Sequence, residues 1–208
     1  MSRFLSGFAA LAIGIAAQAT GVSLAAEVKD ATGKIVQTAD TSRLLSIGGD
    51  TTEILYALGF GDKVVAVDTS SQFPPEVLSK KKVGYMRALS TEGVLSTGAT
   101  LILASWHAGP PEVVRALRGS SVPLVILPES EGPASLIEKV RLVGKALDAE
   151  EKAHELASQL QSQFDALAAD RDKISEPVRA LLVLSVSSGR ALVGGKHTTA
   201  DVMLKLAG

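Results

Sequence analysis

The sequence predicts an α/β fold of two Rossmann-like lobes joined by a long rigid α-helix, with the second lobe truncated where the chain stops. Three observations predict it. Short apolar runs without alternation recur between stretches of helical spacing, the pattern of parallel strands covered on both faces by helices. Residues 148–174 hold neither Gly nor Pro over 27 positions. Gly48-Gly49 and Gly194-Gly195 each stand between an apolar run and a Thr-containing helical segment, so one unit is expected twice.

Residues 1–26 read as a signal peptide. Arg3 supplies the positive start, an apolar run covers 4–17, and Ser23-Leu24-Ala25 offers the small-x-small pattern, with cleavage after Ala25 or Ala26. Ser6, Gly7 and Gly14 interrupt the run, which falls short of the roughly 20 apolar residues a spanning helix needs. Residues 27–42 are polar and unpatterned and are expected to be an N-terminal tail. The first lobe is expected over 43–147, with strands at 43–47, 63–67, 101–104 and 124–127. Asp50-Thr51-Thr52-Glu53 opens a helix with a polar cap and an acid in its first turn, and Gly59 ends it as a left-handed residue. Further helices are expected at 91–96, 111–117 and 133–147, and Pro111 suits a first helical turn. The connecting helix spans 148–175. Its apolar positions Ala153, Leu156, Leu160, Phe164 and Leu167 form one stripe, and its length would be roughly 40 Å. Strands at 178–186 and 191–193 and a helix from Thr198 begin the second lobe, 176–208. The chain stops as that last helical pattern ends, which reads as truncation.

Composition removes several classes of function. Lys plus Arg number 21 against 22 acids, a net charge of -1 without a basic stripe, so no nucleic-acid footprint is expected. Cysteine is absent, which excludes a disulfide framework, a thiolate metal site, a cysteine nucleophile and a lipid-carrying cysteine. The three histidines, His107, His154 and His197, share no zinc-binding spacing, and His154 on the acidic long helix is expected to face solvent. No nucleophile elbow, supported carboxylate pair or histidine with a triad partner is present, so the chain reads as a binding protein and not an enzyme, with no catalytic residue and no catalytic cofactor. The Gly-Gly pairs lack a phosphate-binding fingerprint and instead allow close backbone approach.

Several motifs carry a resemblance over residues 43–208: Ile47-Gly48-Gly49 with Thr52-Glu53-Ile54, Val83-Gly84-Tyr85-Met86-Arg87 running into Leu89-Ser90-Thr91-Glu92-Gly93, Gly109-Pro110-Pro111, the long helix and Thr199-Ala200-Asp201. In these the chain resembles the haem-binding periplasmic proteins of bacterial ABC importers, within the group that also carries cobalamin and ferric siderophores. The resemblance implies a periplasmic solute-binding protein that captures haem b as transported ligand between two lobes. It implies delivery to an inner-membrane ABC permease with its ATPase. Cobalamin or a ferric siderophore is the alternative ligand. The long helix implies limited hinge motion.

The Gly-Tyr-Met-Arg segment bears most of the haem assignment. Ferric iron is a hard cation and tyrosinate a hard oxygen ligand known on haem iron. Tyr85 is expected in a loop at the carboxyl ends of the strands, where open α/β sheets gather ligands. On residue chemistry alone Tyr85 reads as a packing residue and Arg87 as a surface charge. The resemblance assigns Tyr85 as the haem iron ligand, and Arg87 then suits the phenolate or a propionate. Trp106 and His107 follow a strand on the expected ligand side and are candidate pocket residues, although the family usually carries smaller or acidic residues there. His197 is a candidate from the second lobe. Glu92 is explained by the helix dipole alone, and the resemblance implies a second role for it in docking onto permease arginines.

Overall fold

The structure is a computed structural model that describes residues 26–176 and 178–208; the expected signal peptide up to Ala25, and Pro177, lie outside the described residues. The described chain opens with a hairpin where a tail was expected. β1 (Ala26–Lys29) pairs antiparallel with β2 (Ile35–Thr38). Asp30 organises the turn: its carboxylate accepts the N–H groups of Thr32 at 2.9 Å and Lys34 at 3.1 Å, and Gly33 takes a φ of +85°. Arg118 donates to the same carboxylate at 2.7 Å, and the Ala31 N–H donates to the Ile126 carbonyl at 2.9 Å. Burial alone would raise the Asp30 carboxyl, but hydrogen bonds from Thr32, Arg118 and Lys34 outweigh it and hold it below the usual carboxylate range. Within the two strands only Val28 and Thr38 turn fully inward, too few to leave an apolar pattern in the sequence.

The main sheet is five-stranded and parallel. Its strands are β3 (Leu44–Ile47), β4 (Val64–Val67), β5 (Lys81–Lys82), β6 (Leu101–Ser105) and β7 (Leu124–Leu127), in the order β5-β4-β3-β6-β7. Strand side chains alternate between two cores. Leu44, Leu101, Leu103, Val125 and Leu127 pack with α1 (Gly49–Ala57), α4 (Pro133–Ala146) and the start of α5 (Glu150–Arg171). Leu45, Ile47, Ile102, Ala104 and Ile126 pack with α2 (Thr91–Leu95) and α3 (Pro111–Arg118). Helices on both faces explain why the strands read as continuous apolar runs.

The order sets the site. From β3 the chain winds outward through β4 to β5, then crosses back over residues 83–100 to place β6 on the other side of β3. The crossing makes the carboxyl ends of β3 and β6 a topological switch point.

α5 has 22 residues and a length of about 33 Å, shorter than the Gly- and Pro-free stretch at both ends: Asp148, with a φ of 53°, separates it from α4, and residues 172–174 leave it in a turn in which the Ile174 N–H donates to the Arg171 carbonyl at 2.9 Å. Gly144 of α4 permits a close crossing, since a Cβ there would run into Ala153 of α5. Ala153 and Ala157 are buried, while Leu156, Leu160 and Phe164 are partly buried and Leu167 is exposed. The first half of α5 therefore belongs to the lobe's core and the second half leaves it. Beyond it, β8 (Val183–Ser187) and β9 (Arg190–Val193) form an antiparallel hairpin followed by α6 (Thr199–Ala207). Both strands are exposed along their whole length, and Val186 is 71% accessible. Among the described residues no helix is long and apolar enough to cross a membrane.

Candidate functional site

Backbone hydrogen bonds join the loops after β4, β5 and β6, and the turn after β3 joins them through Gly48, whose N–H donates to the Asp68 carboxylate. Tyr85 stands in the loop after β5, beyond Val83 and Gly84. Each carbonyl around it is engaged: Gly84 accepts from Thr69 N–H at 2.8 Å, Tyr85 from Ala88 N–H at 2.8 Å and Met86 from Gly109 N–H at 2.9 Å. Leu89 N–H returns a bond to the Gly109 carbonyl at 3.0 Å. Residues 85–89 thus lie pinned across the loop that follows β6. The Tyr85 side chain stands 47% exposed on this fixed backbone, and the neighbouring Arg87 is also exposed.

Below this surface lies a polar network that sequence reasoning missed. Asp68, fully buried, follows β4. Its carboxylate accepts the Gly48 N–H at 2.9 Å, the Ser71 hydroxyl at 2.8 Å, and the Ser70 N–H and hydroxyl at 2.8 and 2.6 Å. Thr52 Oγ1 lies 2.7 Å from both Ser46 Oγ and Ser71 Oγ, continuing the network under α1. The signal in the sequence was a polar run, Asp68-Thr69-Ser70-Ser71, placed directly after a buried strand.

Gly48 is required where it stands. Its φ is +114°, and a Cβ there would lie 2.9 Å from the Ser105 Cβ. The turns after β3 and β6 therefore touch at the switch point. Asp50 at the start of α1 is bonded to Lys139 of α4, whose side chain is almost completely buried. Burial would raise the Asp50 carboxyl, but Lys139, the Thr51 N–H and Ser130 hold it below the usual carboxylate range.

Trp106 and His107 follow β6 as expected, and they turn different ways. Trp106, 48% exposed, lines a small cavity of about 250 Å³ with Thr32, Val114, Arg118 and Ile126, on the flank covered by the β1–β2 turn. His107 Nε2 lies 2.7 Å from Glu129 Oε1, joining the loops after β6 and β7, and both side chains remain part-exposed. Phe73, after β4, is a third exposed aromatic at 60% and was not singled out from the sequence. Among the described residues, the three exposed aromatics, Phe73, Tyr85 and Trp106, all follow strands of the main sheet.

Other candidates stand elsewhere. Glu92 is exposed in the first turn of α2, where Ser90 caps the helix by accepting the Gly93 N–H at 3.1 Å. His197 is exposed before α6 with a φ of 60°, its N–H bonded to Asp201 at 2.9 Å. His154 is exposed on α5. Among the described residues no group of three or more His, Asp or Glu side chains is arranged to hold a metal ion. A groove of about 910 Å³ runs along α1 between Phe73-Pro74 and α5, floored by Ile54, Leu136, Val140, Leu156 and Leu160. Neither Tyr85, Arg87 nor His107 lines it, so the groove and the residues singled out from the sequence lie in different places.

Comparison with known proteins agrees with this architecture. The periplasmic heme-binding protein RhuT from Roseiflexus sp. RS-1 superposes with a TM-score of 0.76 at 33% identity, covering 80% of this chain and 64% of that one. An uncharacterised ABC transporter substrate-binding lipoprotein, YvrC of Bacillus subtilis, is 28% identical over 170 residues, which is 80% of this chain and 54% of that protein. A vitamin B12-binding protein of Yersinia pestis is 30% identical over 174 residues, 76% of this chain and 60% of that protein. The chain thus spans little more than half the length of these relatives. The family model for periplasmic binding proteins matches residues 44–208, which takes in every element from β3 to α6. Through this match and the doubly wound lobe it covers, the chain belongs to the periplasmic binding protein family.

Proposed function

We propose that this chain is a periplasmic solute-binding protein that captures ferric haem at the switch-point edge and delivers it to an ABC permease driven by its ATPase. The observation that carries the reading is the fixed, half-exposed Tyr85 at the carboxyl ends of the strands, with three tethered carbonyls behind it. A backbone held in this way presents a hard phenolate oxygen to iron without a further ordering cost. Arg87, two residues on, is placed in sequence to meet the phenolate or a haem propionate with charge-assisted bonds. His107, part-exposed on the adjoining loop, forms a second polar group of the pocket. Trp106 supplies aromatic wall at the flank, and His197 belongs to the opposing surface. Haem b is the transported ligand, and the protein itself performs no chemistry on it. Glu92, exposed at the start of α2, docks onto permease arginines. The segment before Ala26 directs export.

Cobalamin is the second reading, favoured by the Yersinia pestis relative that bears that ligand's name. Parallel absorbance titrations with ferric haem and cyanocobalamin test the choice. Saturable one-site binding of haem, with cobalamin inert, is the expected result. Saturable cobalamin binding beside merely non-specific haem adsorption would overturn it.

A further inference from the structure

We infer that Asp68 is the positioning residue of the ligand edge: it never touches the ligand, and it sets the backbone that presents Tyr85. The inference rests on the haem reading for its binding readout only.

Asp68 has no accessible surface, and no Lys, Arg or His pairs with it among the described residues. A carboxylate in that position is costly unless donors saturate it. Here each oxygen receives two hydrogen bonds, and they come from both sides of the site. Gly48 N–H belongs to the turn between β3 and α1; the Ser70 N–H and the Ser70 and Ser71 hydroxyls belong to the turn after β4.

The second turn reaches the ligand edge directly. Thr69, beside Asp68, donates its N–H to the carbonyl of Gly84, the residue before Tyr85. The Ser70 hydroxyl that binds Asp68 also lies 3.8 Å from the sulfur of Met86, the residue after Tyr85. Lys82 Nζ donates to the Ser71 carbonyl at 3.0 Å, tying the same turn to β5. Both neighbours of Tyr85 are therefore supported by a turn whose shape Asp68 sets. Asparagine is isosteric, but its amide nitrogen cannot accept, so one pair of these donors loses its acceptor.

The test compares Asp68→Asn with the unsubstituted protein and with Val143→Ala, a buried change on α4 that destabilises the lobe far from this edge. Ferric haem titration of Asp68→Asn should show a 10- to 100-fold weaker affinity, the range seen when groups supporting a metal ligand are removed. The tyrosinate-to-iron charge-transfer band should weaken in parallel. Val143→Ala should lower the melting temperature and leave affinity and band unchanged. Ser71→Ala, which removes one of the four donors to Asp68 together with the hydroxyl contact to Thr52, is the fallback if Asp68→Asn does not fold, with a smaller loss in the same direction. Unaltered affinity and spectrum in both edge variants would overturn the inference, as would an equal loss in Val143→Ala. If the unsubstituted protein binds no haem, the haem reading fails by itself. Amide exchange then decides: Asp68 stands if Asp68→Asn selectively speeds exchange at Thr69 and Gly109, and falls if it does not.

Discussion

Gly48 and Asp30 show how single residues hold this lobe in shape. At Gly48 any side chain meets two penalties together, a left-handed φ and the Ser105 Cβ at 2.9 Å. Gly48→Ala should therefore cost about 1–3 kcal/mol, read as a lower urea midpoint with an unchanged m-value. An equal midpoint would show that the two turns can part freely. Asp30 is held below its usual range by Thr32, Arg118 and Lys34 against the opposing effect of burial. Its unfolded value is about 3.9, so its contribution is complete above about pH 5 and is lost as pH falls through that value and then through the lower folded one. Urea midpoints should hold steady from neutral pH to about pH 5 and then decline, and Asp30→Asn should flatten that decline. A variant with an unaltered acid limb would place the acid sensitivity elsewhere. The loop position of Tyr85 was legible because Val83-Gly84 before it reads as strand-like. Asp68 was not, since the polar run Asp68-Thr69-Ser70-Ser71 after a strand reads like any other turn until the four donors on the Asp68 carboxylate are seen.

At the scale of elements, β3, β4, β6 and β7 were legible almost to the residue, because burial on both faces leaves an uninterrupted apolar run. β5 was not, having two lysines and only two paired positions. The β1–β2 hairpin was missed for a related reason: its strands lie on the surface, and its strongest signal was the Asp30 to Gly33 turn and not any alternation. The long helix came out shorter at both ends, at Asp148 and after Arg171, without help from Gly or Pro. Its expected stripe is buried at Ala153, fades through Leu156, Leu160 and Phe164, and ends at an exposed Leu167 once α5 passes the lobe's edge. The β8–β9 hairpin has the apolar composition of a buried pair and no cover on either face. Hydrogen exchange should be slow in β3 and β6, which are buried on both faces, and fast exchange there would show that the main sheet is not the stable centre of the lobe.

Across the whole molecule, doubly wound order is what gathers the exposed aromatic side chains. Winding outward from β3 and crossing back to β6 gathers four loops over two strand ends, and these loops carry the exposed aromatics while the two cores hold almost none. The sequence made the lobe legible, since alternating strand and helix patterns admit few topologies. It did not reveal that Trp106 and His107 would diverge, because neighbours on a tight turn take their directions from backbone angles that only the folded loop defines. The proposed function turns on Tyr85 giving its oxygen to haem iron. Absorption and resonance Raman spectra of the ferric haem complex, beside those of Tyr85→Phe, test this. A high-spin ferric spectrum with a tyrosinate-to-iron band is expected, with loss of that band and weaker binding in the variant. An identical spectrum and affinity in Tyr85→Phe would contradict it and move the iron ligand to His107 or another residue.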